Sequence, residues 1–269
     1  MKSLKNTAEG TVEKFSAYSS SLLPALAVTL LLLFWEAAVY ISQIERWILP
    51  APSAVASSLF SMDTGIWGHI GHTAAEAAAG LILAVIAAFF ISVMIDSSTI
   101  MKRAIYPLLV ISQTVPIIAL APLFIIWFGF GMLPKIMVVA LVCFFPITIN
   151  TVEGLRLVDR DMLKLMNTMG ATGKQIFLKV KLPSALPHFF SGLKIAGTYS
   201  VMGAVIGEWL GSSKGLGILL TRSSQSFLTE RVFAIIFLIV MLSLAVFSLI
   251  EYIAKLSMPW KTKELKYRK

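Results

Sequence analysis

Charge is what this sequence has least of. Only 14% of its 269 residues are Asp, Glu, Lys or Arg, 57% are hydrophobic, and mean hydropathy is +0.83. Soluble domains carry about 25% charged residues, so this composition cannot build a water-facing surface and a membrane protein is expected. There is one cysteine, Cys143. No second thiol exists to pair with it or to share a metal, and its place in the run IMVVALVCFFPITIN makes it a packing residue. The three histidines, His69, His72 and His188, share no ligand spacing, so no metal is assigned. No period of about 20 to 50 residues repeats, which argues against an internally duplicated secondary transporter. A cleaved signal is absent too: the first 14 residues are polar with three lysines, and the next run is too long for a signal core and lacks a small-residue cleavage site.

What is present is a series of long apolar runs. At roughly 20 residues per crossing, the length allows about five to seven spans and leaves no room for a soluble catalytic domain, so no enzyme activity is expected. The reading is an all-α membrane protein with six spans: Leu22 to Ile41, Ala77 to Ile95, Tyr106 to Trp127, Ile136 to Val152, His188 to Leu210 and Val232 to Ile250. The third lies in a 31-residue stretch without charge between Arg103 and Lys135, interrupted by Pro107, Pro116 and Pro122, and is read as one kinked span. A permease domain over 22–254 is flanked by tails, 1–21 and the basic 255–269.

Net charge is +9. The charges sit at the ends of apolar runs, so a bilayer explains them and no nucleic-acid partner is expected. The pieces 1–21, 96–105, 151–187 and 251 onward hold 17 of the 23 Lys and Arg, which places them, and both termini, in the cytoplasm. Arg46, Lys135, Lys214, Arg222 and Arg231 then lie outside. Glu36, Glu76 and Glu208 fall within a turn or two of an interface, where local pairing or solvation competes with an ion pathway. Trp47, Trp67, Trp127, Trp209 and Trp260 lie at span ends, as an interfacial belt requires.

Span five is rich in small residues at four-residue spacing: Gly192, Ala196, Ser200 and Ala204, then Gly203, Gly207 and Gly211. Such series let helices approach closely in lipid. They suit either packing within the subunit or a helix lining a translocation path, so Ser200, Gly203, Gly207, Glu208 and Gly211 are candidates for one or the other.

The longest polar segment, 151–187, is too patterned for a linker. Asp159 or Asp161 can cap a helix carrying Met162, Leu163, Leu165 and Met166, and Gly170 can end it in the left-handed conformation. Thr172 can cap a second short helix with Ile176, Phe177 and Val180 on one face, and Leu182-Pro183 is expected to stop it. The hairpin can lie on the lipid surface or dock a soluble partner. Gly170, Gly173 and Lys174 do not form a phosphate loop: Thr168 stands where glycine is needed and Gln175 where Ser or Thr would hold magnesium.

In register, Gly170, nine residues, then Val180-Lys181-Leu182-Pro183 resembles the cytoplasmic signature of permeases of bacterial ATP-binding-cassette importers: Glu-Ala-Ala, three residues, Gly, nine residues, Ile, any residue, Leu-Pro. Lys164, Leu165 and Met166 stand at the Glu-Ala-Ala positions, so no contact of that acid is carried over. LPAPSAV (Leu49 to Val55), PLFIIWFGFG (Pro122 to Gly131) and GEWLGSSKGLG (Gly207 to Gly217) are similar to the branch importing nitrate, sulfonates, taurine and thiamine pyrimidine precursors. The resemblance implies a type I importer permease in the inner membrane, a homodimer of this subunit, a separate ABC ATPase holding ATP and magnesium, an extracytoplasmic solute-binding protein, and no cofactor on this chain. It makes Lys164, Leu165, Met166, Gly170, Ala171, Ile176, Phe177, Val180, Leu182 and Pro183 an ATPase-coupling loop. The alternative from the residues alone is an ion-coupled secondary transporter or channel.

Overall fold

The computed structural model describes residues 2–260, with side chains over 22–98 and 100–260. The side chains of the expected N-terminal tail, and residues 261–269 of the expected C-terminal tail, lie outside the described residues. In chain order the elements are α1 (Lys2–Ile41), α2 (Pro52–Phe60), α3 (Ile66–Ser97), α4 (Thr99–Ser112), α5 (Ile117–Phe128), α6 (Leu133–Arg156), α7 (Arg160–Thr168), α8 (Gly173–Ile176), a π-helical turn (Phe177–Lys181), α9 (Leu182–Trp209), α10 (Leu216–Gln225) and α11 (Thr229–Ser257). No strand occurs among the described residues.

Five segments are long and apolar enough to cross a membrane: Leu22–Ile41, Ile66–Ser97, Leu133–Arg156, Gly173–Trp209 and Thr229–Ser257. The remaining apolar stretch differs from the kinked span expected over Tyr106 to Trp127. It is two helices, α4 and α5, meeting at 101°. Pro107 and Pro122 lie inside these helices, whereas Pro116 sits at the break as the N-cap of α5 with extended backbone. Pro116 has no N–H to bond the Ser112 carbonyl and takes an extended backbone, so α4 does not run on through it.

A second correction concerns Leu182-Pro183, expected as a stop. The chain stays helical through it, and Gly173–Trp209 is one candidate span. The π-helical turn is the reason: Leu182 N–H bonds to the Phe177 carbonyl, five residues back, and the widened turn makes room for a proline in the first turn of α9. The expected boundary at residue 255 also moves, since α11 runs to Ser257, with Lys255 Nζ 3.0 Å from Glu251 Oε1.

By its contacts the chain forms two units. One comprises Met1–Met62 with Ser223–Ala234. Within it α2, which the periodicity did not reveal, begins at Pro52 and is anchored to α1: Ser53 Oγ and N–H donate to the Glu36 carboxylate at 2.6 and 3.0 Å. An anion is favoured at a helix start, where backbone N–H groups are unpaired. Thr229 Oγ1 donates to the Trp47 carbonyl at 2.7 Å, and Trp35 lies 5.7 Å from Phe233, ring to ring.

The other unit comprises Asp63–Arg222 with Ile235–Lys269. Here α6 packs against both α3 and α9, around Ala77, Ala84, Ala88, Val139, Cys143, Ile147, Ala196, Val201 and Ala204. Lipid is as apolar as these side chains, so their association rests on close van der Waals contact, which small residues permit. A Cβ at Gly192 would come 2.5 Å from the Pro146 carbonyl oxygen, and one at Gly80 would collide with Val139. Cys143 is fully buried in this seam, its Sγ 3.2 Å from the Ala196 carbonyl.

Candidate functional site

The loop between α6 and α9 is built by local signals acting in sequence. Of the two possible caps of α7, Asp159 serves, its Oδ1 accepting from Asp161 N–H at 2.8 Å. At the other end Ala171 N–H bonds the Met166 carbonyl and Gly170 N–H bonds that of Asn167, each at 3.0 Å, with Gly170 at φ +74°. This is the glycine-terminated helix ending in which a left-handed residue lets two N–H groups fold back on orphan carbonyls. Thr172 then caps α8 in a reciprocal box: Gln175 N–H donates to Thr172 Oγ1, and Thr172 N–H to Gln175 Oε1 at 2.8 Å.

These joints orient α7 so that Leu163 and Met166 are half-buried while Met162, Leu165 and Met169 remain 46%, 54% and 74% exposed. Ile176 is buried, and Ala171, Phe177, Val180, Leu182 and Pro183 are half-buried. Lys164 is exposed and paired only with exposed Asp161, at 2.9 Å. The surface presented is therefore a short, rigidly bounded helix with an apolar face.

A second feature was not foreseen as a unit. Glu76 from α3, Lys135 from α6 and Glu208 from α9 meet in the interior. Lys135 Nζ lies 2.9 Å from Glu76 Oε1 and 2.7 Å from Ser212 Oγ. Glu208 Oε1 accepts from Thr73 Oγ1 at 2.6 Å, and its Oε2 from Gly217 N–H at 2.5 Å. Leu216 N–H donates to Thr73 Oγ1 and Gly215 N–H to His69 Nδ1, both at 2.9 Å. The loop GEWLGSSKGLG is thus wrapped over the carboxylate of its own Glu208, and Gly215 has no room for a Cβ because that carboxylate lies against it.

Three sequence readings bear on this cluster. Lys135, counted with the outer pieces, is buried within the protein at 6% exposure. Of the two readings of Glu36, Glu76 and Glu208, all three take the locally paired one. His72, one of the three histidines to which no metal was assigned, brings a ligand atom within 4.8 Å of those of Glu76 and Glu208. The Lys135 ammonium already supplies the positive charge a metal would, so these residues do not fit a divalent ion. The only signal in the sequence was lone charges of opposite sign beside apolar runs, which must find partners.

The small-residue series of α9 faces α6. A Cβ at Gly203 would lie 3.3 Å from Val139 Cα, and one at Gly207 3.1 Å from Lys135 Cβ. Ser200 is buried, donating to the Gly197 carbonyl at 2.8 Å, and Gly211 at φ +128° abuts Phe130. Packing within the subunit is thus where the structure puts these candidates. An adjoining face of α9, with Ile195, Tyr199 and Met202, borders a cavity of about 700 Å³ completed by Gln113, Phe145 and Asn150. Among the described residues, no Asp, Glu, Lys or Arg lines it. Lys194 is turned to α11, its ammonium 5.6 Å from the centre of the Phe247 ring.

Residues 80–257 match the family described as binding-protein-dependent transport system inner membrane component. The chain is 38% identical over 242 residues to a formylaminopyrimidine transport permease protein of Halalkalibacterium halodurans, covering 90% of this chain and 96% of that one. It is 33% identical to a riboflavin transport system permease protein of Chloroflexus aurantiacus, covering 88% and 89%, and 25% identical to a taurine transport system permease protein of Escherichia coli, covering 86% and 84%. In fold it is similar to a chain of the MetNI methionine ABC transporter in an inward-facing conformation, with TM-score 0.64 and 19% identity over 72% of this chain and 98% of that one. The chain therefore belongs to the inner-membrane components of binding-protein-dependent transport systems, the permease subunits of ABC importers.

Proposed function

We propose that this permease works as a homodimer in the bacterial inner membrane with both termini cytoplasmic, that its 151–187 loop is gripped by a separate ATPase subunit carrying ATP and magnesium, and that an extracytoplasmic binding protein delivers its solute. This chain performs no chemistry. The observation that carries the reading is the exposed apolar face of α7 on a loop bounded by a left-handed glycine and a capping box. A hairpin floating on lipid needs no such fixed angle, whereas a lever moved by a partner does. The positive-inside balance of the loops supports the orientation.

Among the solutes of the relatives, the 700 Å³ cavity favours an uncharged nitrogen heteroaromatic of the formylaminopyrimidine kind over taurine, sulfonate or nitrate. The charge of nitrate or a sulfonate, and both charges of zwitterionic taurine, find no counter-ion on this lining and stay unpaired at a low-dielectric depth, which costs several kcal/mol. An amide carbonyl suits the exocyclic N–H groups of such a solute instead. Asn150 Nδ2 donates to the Pro146 carbonyl at 2.8 Å, leaving its oxygen to accept, and Tyr199 and Phe145 offer ring faces.

The test is uptake into proteoliposomes holding the permease, its ATPase and its binding protein. Formylaminopyrimidine uptake that requires ATP and all three proteins is expected. Gradient-driven uptake by the purified permease alone would overturn the importer reading. ATP-driven uptake of taurine in preference would overturn the solute class and leave the importer.

A further inference from the structure

The coupling loop reaches the spans by two routes. One is covalent, from α6 at its start and through the π-helical turn into α9 at its end. The other is a single ion pair: Lys181 Nζ lies 2.8 Å from Asp96 Oδ2, with side-chain exposures of 25% and 15%. Asp96 sits in the last turn of α3, one residue before its C-terminus at Ser97. Ser98 then caps α4, its Oγ accepting from Met101 N–H, so Asp96 marks the junction of α3 with the bent pair α4 and α5.

Two features single out this pair. First, apolar packing between the loop and the end of α3 is loose. An open cleft of about 540 Å³ runs between them, lined by Val93, Ser97, Leu163, Asn167, Ile176 and Phe177 beside the pair itself. Where side chains do not interlock, a push on the loop is not transmitted by close packing, and a charged hydrogen bond shielded from water carries it instead. Second, the π-helical turn sets the facing of Lys181. One extra residue in a turn rotates everything on one side of it by about 100°, the angle per helical residue. Lys181 is the last residue of that turn and meets Asp96 in this register.

We infer that the Lys181–Asp96 pair is the tether that carries movement of the coupling loop to the α3–α4 junction and so to the cavity lined by α4, α5, α6 and α9. Without it the loop still docks and still moves α9, while the end of α3 and its junction with the bent pair follow only through the packing of α3 on α6 and α9. Lys181 and Asp96 are thus positioning residues for coupling, a role resting on the importer reading above.

The readout is chosen to need no solute. Met202, 46% exposed on the cavity lining, is replaced by cysteine in a Cys143→Ser background, and its labelling by an impermeant maleimide is followed in proteoliposomes of the permease with its ATPase and binding protein, with and without ATP. In the parent complex ATP changes the labelling rate. In Asp96→Asn and in Lys181→Met the ATPase remains bound and hydrolyses ATP, but the ATP-dependent change in labelling falls by about ten-fold, as a coupling free energy in the ordinary range implies. The reversed pair, Asp96→Lys with Lys181→Asp, regains it, as does Lys181→Arg. A full ATP response in both single variants, loss of ATPase binding in either, or no recovery in the reversed pair would each overturn the tether. Absence of any ATP response in the parent complex would fault the importer reading itself.

Discussion

A lysine buried between carboxylates and a similar-looking lysine on the surface have opposite importance here. Lys135 is 6% exposed and holds Glu76 and Ser212 together. Removing one partner of a buried pair leaves an uncompensated charge, at a cost of about 3–5 kcal/mol. Lys135→Met is therefore expected to lower thermal stability in detergent by that amount, and Glu76→Gln in the same chain to restore most of it. Lys164 is 2.9 Å from Asp161 at nearly the same distance, yet both are exposed, and water screens the pair. Lys164→Ala should leave the melting temperature unchanged. Equal losses in the two lysine variants would mean that the Glu76 cluster is not desolvated and its anchoring role is wrong.

At the scale of the element, the ending of α7 decides whether the loop is a lever. Gly170 has φ +74° with open space around a would-be Cβ, so its glycine is required by the backbone and not by packing. A β-branched residue there costs roughly 1–2 kcal/mol of backbone strain. That is little against membrane insertion but enough to reset the angle between α7 and α8. Gly170→Val is expected to accumulate normally while losing most ATPase pull-down from the same membranes and most solute uptake. Undiminished pull-down with full uptake would remove the angle from the mechanism. The α4–α5 break works differently, since it rests on Pro116 and its missing N–H and not on any capping side chain.

For the whole molecule the testable quantity is topology. In a Cys143→Ser background, cysteines at Ser57 and Ser213, both exposed, are expected to react with an impermeant thiol reagent from outside intact cells, and one at exposed Thr172 only after permeabilisation. Labelling at position 172 from outside would invert the assignment and place the loop out of reach of a cytoplasmic ATPase. The same experiment checks whether the right-angled α4–α5 pair crosses the bilayer, because a pair that entered and left on one side would put Ser213 and Ser57 on opposite faces.

Spans, loop and caps were legible in the order of residues because each depends on neighbours a few positions away. Hydropathy over about 20 residues marks a crossing, Asp159 caps the turn that follows it, Gly170 folds back on Met166 and Asn167, and Thr172 pairs with Gln175. What escaped were the pairings across distance. Lys135 finds Glu76 across 59 positions, Glu208 finds Thr73 across 135 and Lys181 finds Asp96 across 85. Isolated charges beside apolar runs must be satisfied somewhere, but which carboxylate meets which ammonium depends on how α3, α6 and α9 pack. The same packing turned the small residues of α9 toward α6 and left Tyr199 and Met202 on the cavity. Periodicity says that a helix has two faces; only its neighbours determine which one is buried.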